Sequence, residues 1–288
     1  MMILNKLVSY CNNEYEQSDD VCSCVGCENE CKGSCEYCLE DIHFGNTRRY
    51  NCINMMNYYV CKYGYKYSSE IANIFFYNNL IDDKDKINMI SIGCGPCTDL
   101  LGVNEYIKNS GLEIELRYFG IDLNNKWEFV HEYIENNFNE IKTEFIYEDA
   151  FNVFEELNSV EKCDILFLQY LLSDMVKHYN TDEMDNFIED LVDIIIGNME
   201  SGSYVIINDI NHCDTRKYFE RILQKMNRNN INYKCAKLHY DNSARATHYN
   251  YGEEYADNDL VCNVPENIQL NYNPWMFCSS AQLIIKRM

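Results

Sequence analysis

Positive charge is what this sequence has least of. Lysine and arginine number 24 against 46 aspartates and glutamates, a formal net charge of −22 over 288 residues. A protein that follows nucleic-acid phosphates ordinarily presents a net basic surface. The balance therefore weighs against DNA or RNA as a partner, although it does not rule out a local basic patch. Long apolar runs are also missing, and no stretch is long enough to span a bilayer, which argues against a membrane partner. The opening, Met1-Met2-Ile3-Leu4-Asn5-Lys6-Leu7-Val8, is too short and too soon polar for a secretory signal. Together these absences lead to the expectation of a cytoplasmic protein. Proline occurs only three times amid abundant Asn, Ile, Lys, Tyr and Asp, a compositional bias that accounts for part of the acidity. There is no internal repeat and no long low-complexity tract. A hydrophobic content of 47% is that of a globular chain, and the length suits one large domain or one domain with an appendage.

Cysteine, by contrast, is plentiful. There are sixteen, nine of them within the first 61 residues. Without a secretory signal, that density predicts reduced thiols and metal ligands rather than disulfides. The spacing is Cys22-x-Cys24-x2-Cys27-x3-Cys31-x3-Cys35-x2-Cys38, followed by His43, Cys52 and Cys61. Cys35 and Cys38 form the clearest knuckle and Cys24 with Cys27 another, while Cys52 and Cys61, or His43, supply further ligands. These donors suit one or two structural zinc ions with closed, mainly thiolate ligand sets. An iron–sulfur cluster is the competitor, but the Cys-x2-Cys-x2-Cys run of bacterial ferredoxins is absent, which favours zinc. A stretch of this length with few aliphatics needs such a staple to hold itself together.

Basic and aromatic residues interleave just beyond, in Arg48-Arg49-Tyr50 and in Asn57-Tyr58-Tyr59-Val60-Cys61-Lys62-Tyr63-Gly64-Tyr65-Lys66-Tyr67. The first reading is a helix in the core or beside a cofactor. The second is a nucleic-acid stacking platform, placed behind it because of the overall charge.

The most informative stretch is Ile90-Ser91-Ile92-Gly93-Cys94-Gly95-Pro96-Cys97-Thr98-Asp99-Leu100. A mostly apolar run enters a glycine-punctuated turn and a helix-like segment follows. A second apolar run, Leu116 to Ile121, is closed by Asp122. The glycines let backbone approach a ligand, the helix start offers unpaired N–H groups, and the terminal acid can accept both hydroxyls of a ribose. A dinucleotide site would want a glycine at position 98, where this chain has Thr98.

Around this motif the chain divides near residue 80, with the charged stretch 82–86 as hinge. Residues 1–80 form the Cys-rich, helical N-terminal module, and 81–288 alternate strand-like with helix-like segments. Strands are expected at 88–92, 116–121, 143–147, 164–169, 203–208, 232–238 and 282–286, and helices at 98–109, 125–138, 152–158, 182–197 and 214–228. The alternation predicts βαβ units and a mostly parallel α/β sheet. A polar insertion of about forty residues precedes the last strand.

Residues 87–288 resemble a class I S-adenosylmethionine (SAM)-dependent methyltransferase. The carriers of the likeness are Gly93-Cys94-Gly95-Pro96-Cys97, Asp122, Glu148-Asp149-Ala150-Phe151 and the run Cys163 to Tyr170. The departure is Cys97, where that family typically has a third glycine and where a side chain crowds the methionine tail. The resemblance implies a Rossmann-like sheet, mostly parallel with its last strand antiparallel. It places Gly93, Cys94, Gly95 and Pro96 against the methionine moiety and Asp122 on the ribose. It also puts Asp149 at the adenine amino group, with Ala150 or Phe151 packed on the ring, although Asp149 serves equally as a helix N-cap. Gln169, Tyr170, Ser173 and Asp174 would face the transferred methyl, with Tyr170, Asp174 and His178 as proton acceptors that sequence does not separate.

No Asp/Asn-Pro-Pro-Tyr/Phe sequence and no Pro-Cys pair follows the fourth strand, which argues against methylation of adenine amino groups or of cytosine C5 in nucleic acid. Three functions follow from these readings. The first is a methyltransferase for a small-molecule or protein acceptor. The second is an RNA or DNA methyltransferase that grips its substrate with the N-terminal module, and the third a non-catalytic SAM-binding scaffold. The acceptor pocket is expected at the carboxyl edge of the sheet, between segment 169–178, the 241–275 insertion and the N-terminal module, with Tyr249 or Tyr251 reaching in. A deep cavity there would indicate a small molecule or a peptide side chain. A broad groove lined by Arg48, Arg49, Lys62 and Lys66 would indicate nucleic acid.

Overall fold

The structure is a computed structural model that describes residues 3–16, 34–44, 50–156, 162–240 and 250–288. Eight strands form one sheet: β1 (Lys86–Ile92), β2 (Glu115–Ile121), β3 (Ile141–Ile146), β4 (Ile165–Gln169), β5 (Tyr204–Ile210), β6 (Tyr233–His239), β7 (Glu253–Glu254) and β8 (Ser280–Arg287). Their order is β3-β2-β1-β4-β5-β8-β6-β7. Neighbours from β3 to β5 are parallel, and β8 alone runs antiparallel, to β5 on one side and β6 on the other. This is the α/β sheet expected from the alternation, with its last strand reversed as the resemblance implied. All seven expected strands are present within about two residues of their ends.

The central strands are apolar because both faces are covered. Along β1, Ile87 and Met89 enter one core while Ile90 and Ile92 enter the other. The first core is closed by α1 (Ile3–Glu16), α3 (Ile53–Asn78), α4 (Thr98–Ser110) and α5 (Glu128–Asn137), through residues such as Leu4, Phe75, Leu101 and Ile134. The second is closed by α6 (Ala150–Glu156), α7 (Leu171–His178), α8 (Thr181–Asp190) and α9 (Cys213–Arg228), through Phe154, Leu172, Phe187 and Phe219. Helix α2 (Cys35–Phe44) lies beside α3, and α10 (Glu266–Tyr272) belongs to the insertion.

Helices from before residue 80 therefore share a core with the sheet. Helix α3 runs 26 residues and is buried continuously from Met55 to Ala72. It crosses α4 at Gly102, where an added Cβ would stand 2.5 Å from the Ser68 carbonyl oxygen and 2.7 Å from Ile71 Cβ. Only a glycine permits that backbone approach.

Two expected helices are subdivided. The stretch 125–138 begins with a 3-10 turn, Asn125–Trp127, before α5. Helix α8, started by a reciprocal Asn180–Glu183 capping box, passes into a π turn at Leu191–Ile195 and a 3-10 turn at Ile196–Asn198. Helix α7 is additional to the expected set. It leaves β4 through Tyr170, whose φ of 54° makes the corner abrupt. No helix is long and apolar enough to cross a membrane among the described residues.

Candidate active site

The strand order reverses between β1 and β4, and a ligand crevice is expected beyond their carboxyl ends. A cavity of about 880 Å³ opens there. Its floor is the turn after β1. Gly93 and Gly95 adopt φ of 68° and 46°. A Cβ on Gly93 would also lie 2.7 Å from Leu171 Cδ1, so a larger residue there would meet the positive φ and would have to shift that side chain. The Gly93 amide donates to the Ile121 carbonyl (2.8 Å), and the Gly95 amide to Asp122 Oδ2 (2.7 Å). Asp122 Oδ1 accepts from the Asn124 amide (2.8 Å). Burial raises the Asp122 carboxyl somewhat above its ordinary range, opposed by these two amides. Asp122 also lines the cavity, and a carboxylate with one amide on each oxygen retains acceptor capacity.

Cys97 occupies the position of the missing third glycine. Its φ of 58° is the left-handed conformation that glycine takes easily. The side chain is fully buried and is not part of the cavity wall, so the departure leaves the space for a ligand unobstructed.

Gly93, Cys94, Gly95, Pro96, Asp122, Asp149, Ala150, Phe151 and Gln169 all line this one cavity, as do Tyr170 and Asp174. Their local roles differ. Asp149 Oδ1 accepts the Phe151 amide (3.0 Å), which is the N-cap arrangement for α6. Gln169 is a strut: it accepts from Thr98 Oγ1 (2.7 Å) and donates to the Tyr67 carbonyl (2.9 Å), tying β4 to α4 and α3. Asp174 stands at the mouth with its side chain 43% exposed, 3.9 Å from His178 Nε2.

Tyr170 is bound into a buried ionic group that sequence did not reveal. Its hydroxyl accepts from Lys66 Nζ (2.6 Å) and donates to Glu70 Oε2 (2.8 Å). Lys66 and Glu70 also pair directly at 3.1 Å, one helical turn apart on α3. Glu70 is fully buried and accepts in addition from Asn208 and the Ser279 amide. Burial, and next the Glu70 charge, push the Tyr170 phenol far up, so it holds its proton.

The opposite wall is aromatic. Tyr59, Tyr63 and Tyr67 follow at four-residue spacing on α3, and the Tyr67 ring lies 4.1 Å from that of Tyr170. The Lys66 ammonium lies 4.8 Å, 4.9 Å and 5.6 Å from the ring centres of Tyr67, Tyr170 and Trp275. The Tyr-rich stretch is thus a core helix that also forms part of the cavity wall. His43, on α2, meets Tyr63 at Nδ1 (3.1 Å) and Tyr50 at Nε2 (3.3 Å). Burial, then Lys177, Lys66 and Lys62, lower it from 6.5 to about 4. Asp209, at the end of β5, accepts from the Ser173 and Ile210 amides and is pushed up to about 6 by burial.

The basic groove of the alternative reading is not assembled by the described residues. Lys62 pairs with Glu36 at 2.9 Å and Lys66 with Glu70, while Arg48 and Arg49 lie outside those residues. The insertion reaches the cavity through Asn273 and Trp275. Tyr251, expected to do so, packs instead in the second core, against Phe219 and the Arg216 guanidinium, and Tyr249 lies outside the described residues. Of the expected metal ligands, Cys24 and Cys27 also lie outside. Cys35 and Cys38 are buried one turn apart on α2, Cys52 precedes α3, and Cys61 Sγ sits 3.8 Å from the Val8 carbonyl. Among the described residues these four form no three-donor group. The two such groups are Cys94–Cys97–His131, buried, and His212–Cys213–Asp214, at the surface.

Comparison with protein-family models finds no match, nor does comparison with curated proteins. Solved structures do match. A plantazolicin methyltransferase in complex with a monoazolic desmethyl analog and S-adenosylhomocysteine (SAH) is 15% identical, with a TM-score of 0.47 over 97% of this chain and 100% of its own. A precorrin-6y C5,15-methyltransferase from Geobacter metallireducens is 13% identical, with a TM-score of 0.43 over 76% and 89%. An rRNA methylase from Streptococcus thermophilus is 12% identical, with a TM-score of 0.41 over 75% and 96%. Independently of these distant likenesses, the sheet order, the reversed last strand and the glycine turn at the switch point give this chain the Rossmann-like fold of the class I methyltransferases.

Proposed function

We propose that this protein is a SAM-dependent methyltransferase whose acceptor is a small molecule or a side chain of a protein. The observation that carries the reading is Asp122. Its carboxylate is fixed by the Gly95 and Asn124 amides at the edge of a cavity on the sheet's switch point. The residues present fit the ligand. The positive-φ glycine turn leaves backbone room for an amino-acid tail, Asp122 retains acceptor capacity for a ribose, and Phe151 and Ala150 offer an apolar wall for a base.

Bound there, SAM supplies an activated methyl group, so the protein has only to align the acceptor and take a proton where the acceptor carries one. Tyr59, Tyr63 and Tyr67 would give the bound cofactor and acceptor an aromatic wall. Lys66 and Glu70 hold the Tyr170 hydroxyl in one orientation, and Asp174 beside His178 is the carboxylate placed to take a proton at the mouth. A deep cavity with an aromatic wall, whose two α3 lysines are paired with Glu36 and Glu70, favours a compact acceptor over a nucleic-acid strand.

The test has two parts. SAH should bind in calorimetry, and Asp122→Ala should weaken it by about tenfold or more, the loss of charge-assisted hydrogen bonds of roughly 1.5–3 kcal/mol. Unchanged affinity in a folded variant would reject the site, and preference for NAD would reject the cofactor. Transfer of label from SAM must then be seen, because a scaffold would also bind it.

The N-terminal cysteines are proposed to hold structural zinc through Cys35 and Cys38, with partners from Cys24, Cys27 and Cys52. The spacing and the shared face of α2 support this. Cys61 is better used as core packing between α1 and α3. Metal analysis of protein purified without added metal should find at least one zinc per chain. Near-zero zinc, or stoichiometric iron with sulfide, would reject it.

A further inference from the structure

The cofactor turn contains a second chemistry that methyl transfer does not use. Its sequence, Cys94-Gly95-Pro96-Cys97, is a Cys-x2-Cys unit at the start of a helix. The Cys97 amide donates to the Cys94 carbonyl at 2.8 Å, closing a four-residue turn. Such a turn holds its end Cα atoms within about 7 Å, and a disulfide spans roughly 4.4–6.8 Å between Cα atoms. The two sulfurs and a ring nitrogen of His131 already lie within 4.8 Å of one another, all buried, with Cys94 Sγ 3.8 Å from Nε2. Gly120 makes the space, since a Cβ there would come 2.9 Å from Cys94 Sγ.

We propose that Cys94 and Cys97 form a reversible dithiol–disulfide site, oxidised by low-molecular-weight disulfides that enter through the cofactor cavity, and that the disulfide and SAM exclude each other. The clause about SAM rests on the function proposed above; the disulfide itself does not.

Three observations support a redox pair rather than a metal centre. His131 Nε2 is 2.7 Å from the Gly95 carbonyl, which can only accept, so that nitrogen carries a proton and has no lone pair for a metal. Its Nδ1 is engaged by the Tyr147 hydroxyl at 2.9 Å. The sulfurs are also electrostatically distinct. Burial alone would raise Cys97, but the hydrogen bond from Cys94 and the His131 charge outweigh it and bring it down to about 7. Burial, then Cys97, push Cys94 up. One negative charge is thus shared by the pair near neutral pH, at the N-terminus of α4, a setting that favours thiolate.

The exchange proceeds in two steps. Cys94 belongs to the lining of the cavity and is 6% exposed, whereas Cys97 is fully buried and outside that lining. The Cys94 sulfur attacks one sulfur of the incoming disulfide as its proton passes to the Cys97 thiolate. The S–S bond of the oxidant breaks and one thiolate leaves. That thiolate takes the proton from Cys97, whose sulfur then attacks Cys94 Sγ and expels the second thiolate. The dithiol is oxidised by two electrons and the small disulfide is reduced to two thiols.

Closing the bond draws the sulfurs to about 2.05 Å. The turn that must move carries the Gly95 amide bound to Asp122 and the Gly95 carbonyl bound to His131, so the ribose acceptor loses its fixed position. Conversely, a ligand filling the cavity bars the oxidant from Cys94.

The experiment equilibrates the full-length protein in glutathione redox buffers with and without SAH. Thiols are then trapped with N-ethylmaleimide, and the peptide holding both cysteines is weighed. The expected result is loss of both labels and of two hydrogens in that peptide, reversal by dithiothreitol, and at least tenfold protection by saturating SAH. The oxidised protein should bind SAH at least tenfold more weakly, and Cys94→Ser should abolish the response of SAH affinity to oxidant, whereas Cys97→Ser should halt the exchange at a mixed disulfide on Cys94. Full alkylation of Cys94 and Cys97 while other cysteines oxidise would overturn the proposal. So would a disulfide with undiminished SAH affinity, or a metal released when Cys94 is alkylated. If the disulfide forms reversibly in protein that never binds SAH, the dithiol stands and the function proposal falls.

Discussion

At the scale of the residue, the site depends on groups whose charges are settled by burial. His43 shows this most directly. Folding lowers its proton affinity from 6.5 to about 4, so as pH falls the unfolded chain takes the proton first. The stability this neutral imidazole contributes is whole above about 6.5 and is lost progressively down to about 4. By linkage the loss is ~3 kcal/mol. Denaturant titrations of wild type and His43→Gln at pH 7.5 and pH 4 should therefore differ, with wild type losing more by about that amount. Parallel acid limbs would show that His43 is not held neutral. Residues of this kind were only half legible in the sequence. Asp122 announced itself because a strand-end acid after a glycine turn has few other uses. Glu70 and Lys66 did not, because an i,i+4 acid–base pair usually marks a solvated helix face, and nothing in one sequence says that this face is buried.

At the scale of the element, the close crossing of α3 and α4 ties the aromatic wall to the cofactor turn. Helix α4 begins at Thr98 directly after the turn, and α3 carries Tyr59, Tyr63 and Tyr67. Gly102 sets their spacing. Alanine is intrinsically the better helix former by about 1 kcal/mol, yet Gly102→Ala should destabilise by roughly 1–3 kcal/mol because the added methyl meets the Ser68 carbonyl rather than a movable side chain. It should also weaken SAH binding by displacing the turn. A raised melting temperature in scanning calorimetry would mean that the helices separate at no cost. The strands were legible because burial on both faces leaves runs of Ile, Leu and Phe. Helix α7 was not, since its start depends on Tyr170 taking a positive φ, which no residue type there announces. The breaks after α8 escaped notice for a similar reason, because a π turn preserves much of the helical apolar pattern.

At the scale of the whole molecule, the question is what enters beside the cofactor. Acidity alone argues weakly, since net charge governs encounter more than fold. The pairing of the two α3 lysines adds to it, and the other lysines of the lining, Lys126 and Lys177, donate to the Asn51 and Ile42 carbonyls. Lys62 is neutralised by Glu36 and Lys66 by Glu70, while Glu40, Glu148 and Asp174 stand among the lining residues. A phosphate chain at this cavity would meet these acids, and both α3 lysines there already have a carboxylate partner. The expected acceptor is thus neutral or cationic and small enough to share about 880 Å³ with the cofactor. Incubating the protein with labelled SAM and a fractionated cell extract should send label into a low-molecular-weight or protein fraction, and prior nuclease treatment should leave the yield unchanged. Label that disappears with nuclease, or that partitions with RNA at 0.15 M salt, where electrostatic contacts to phosphate are already weakened, would return the N-terminal module to the role of a nucleic-acid grip.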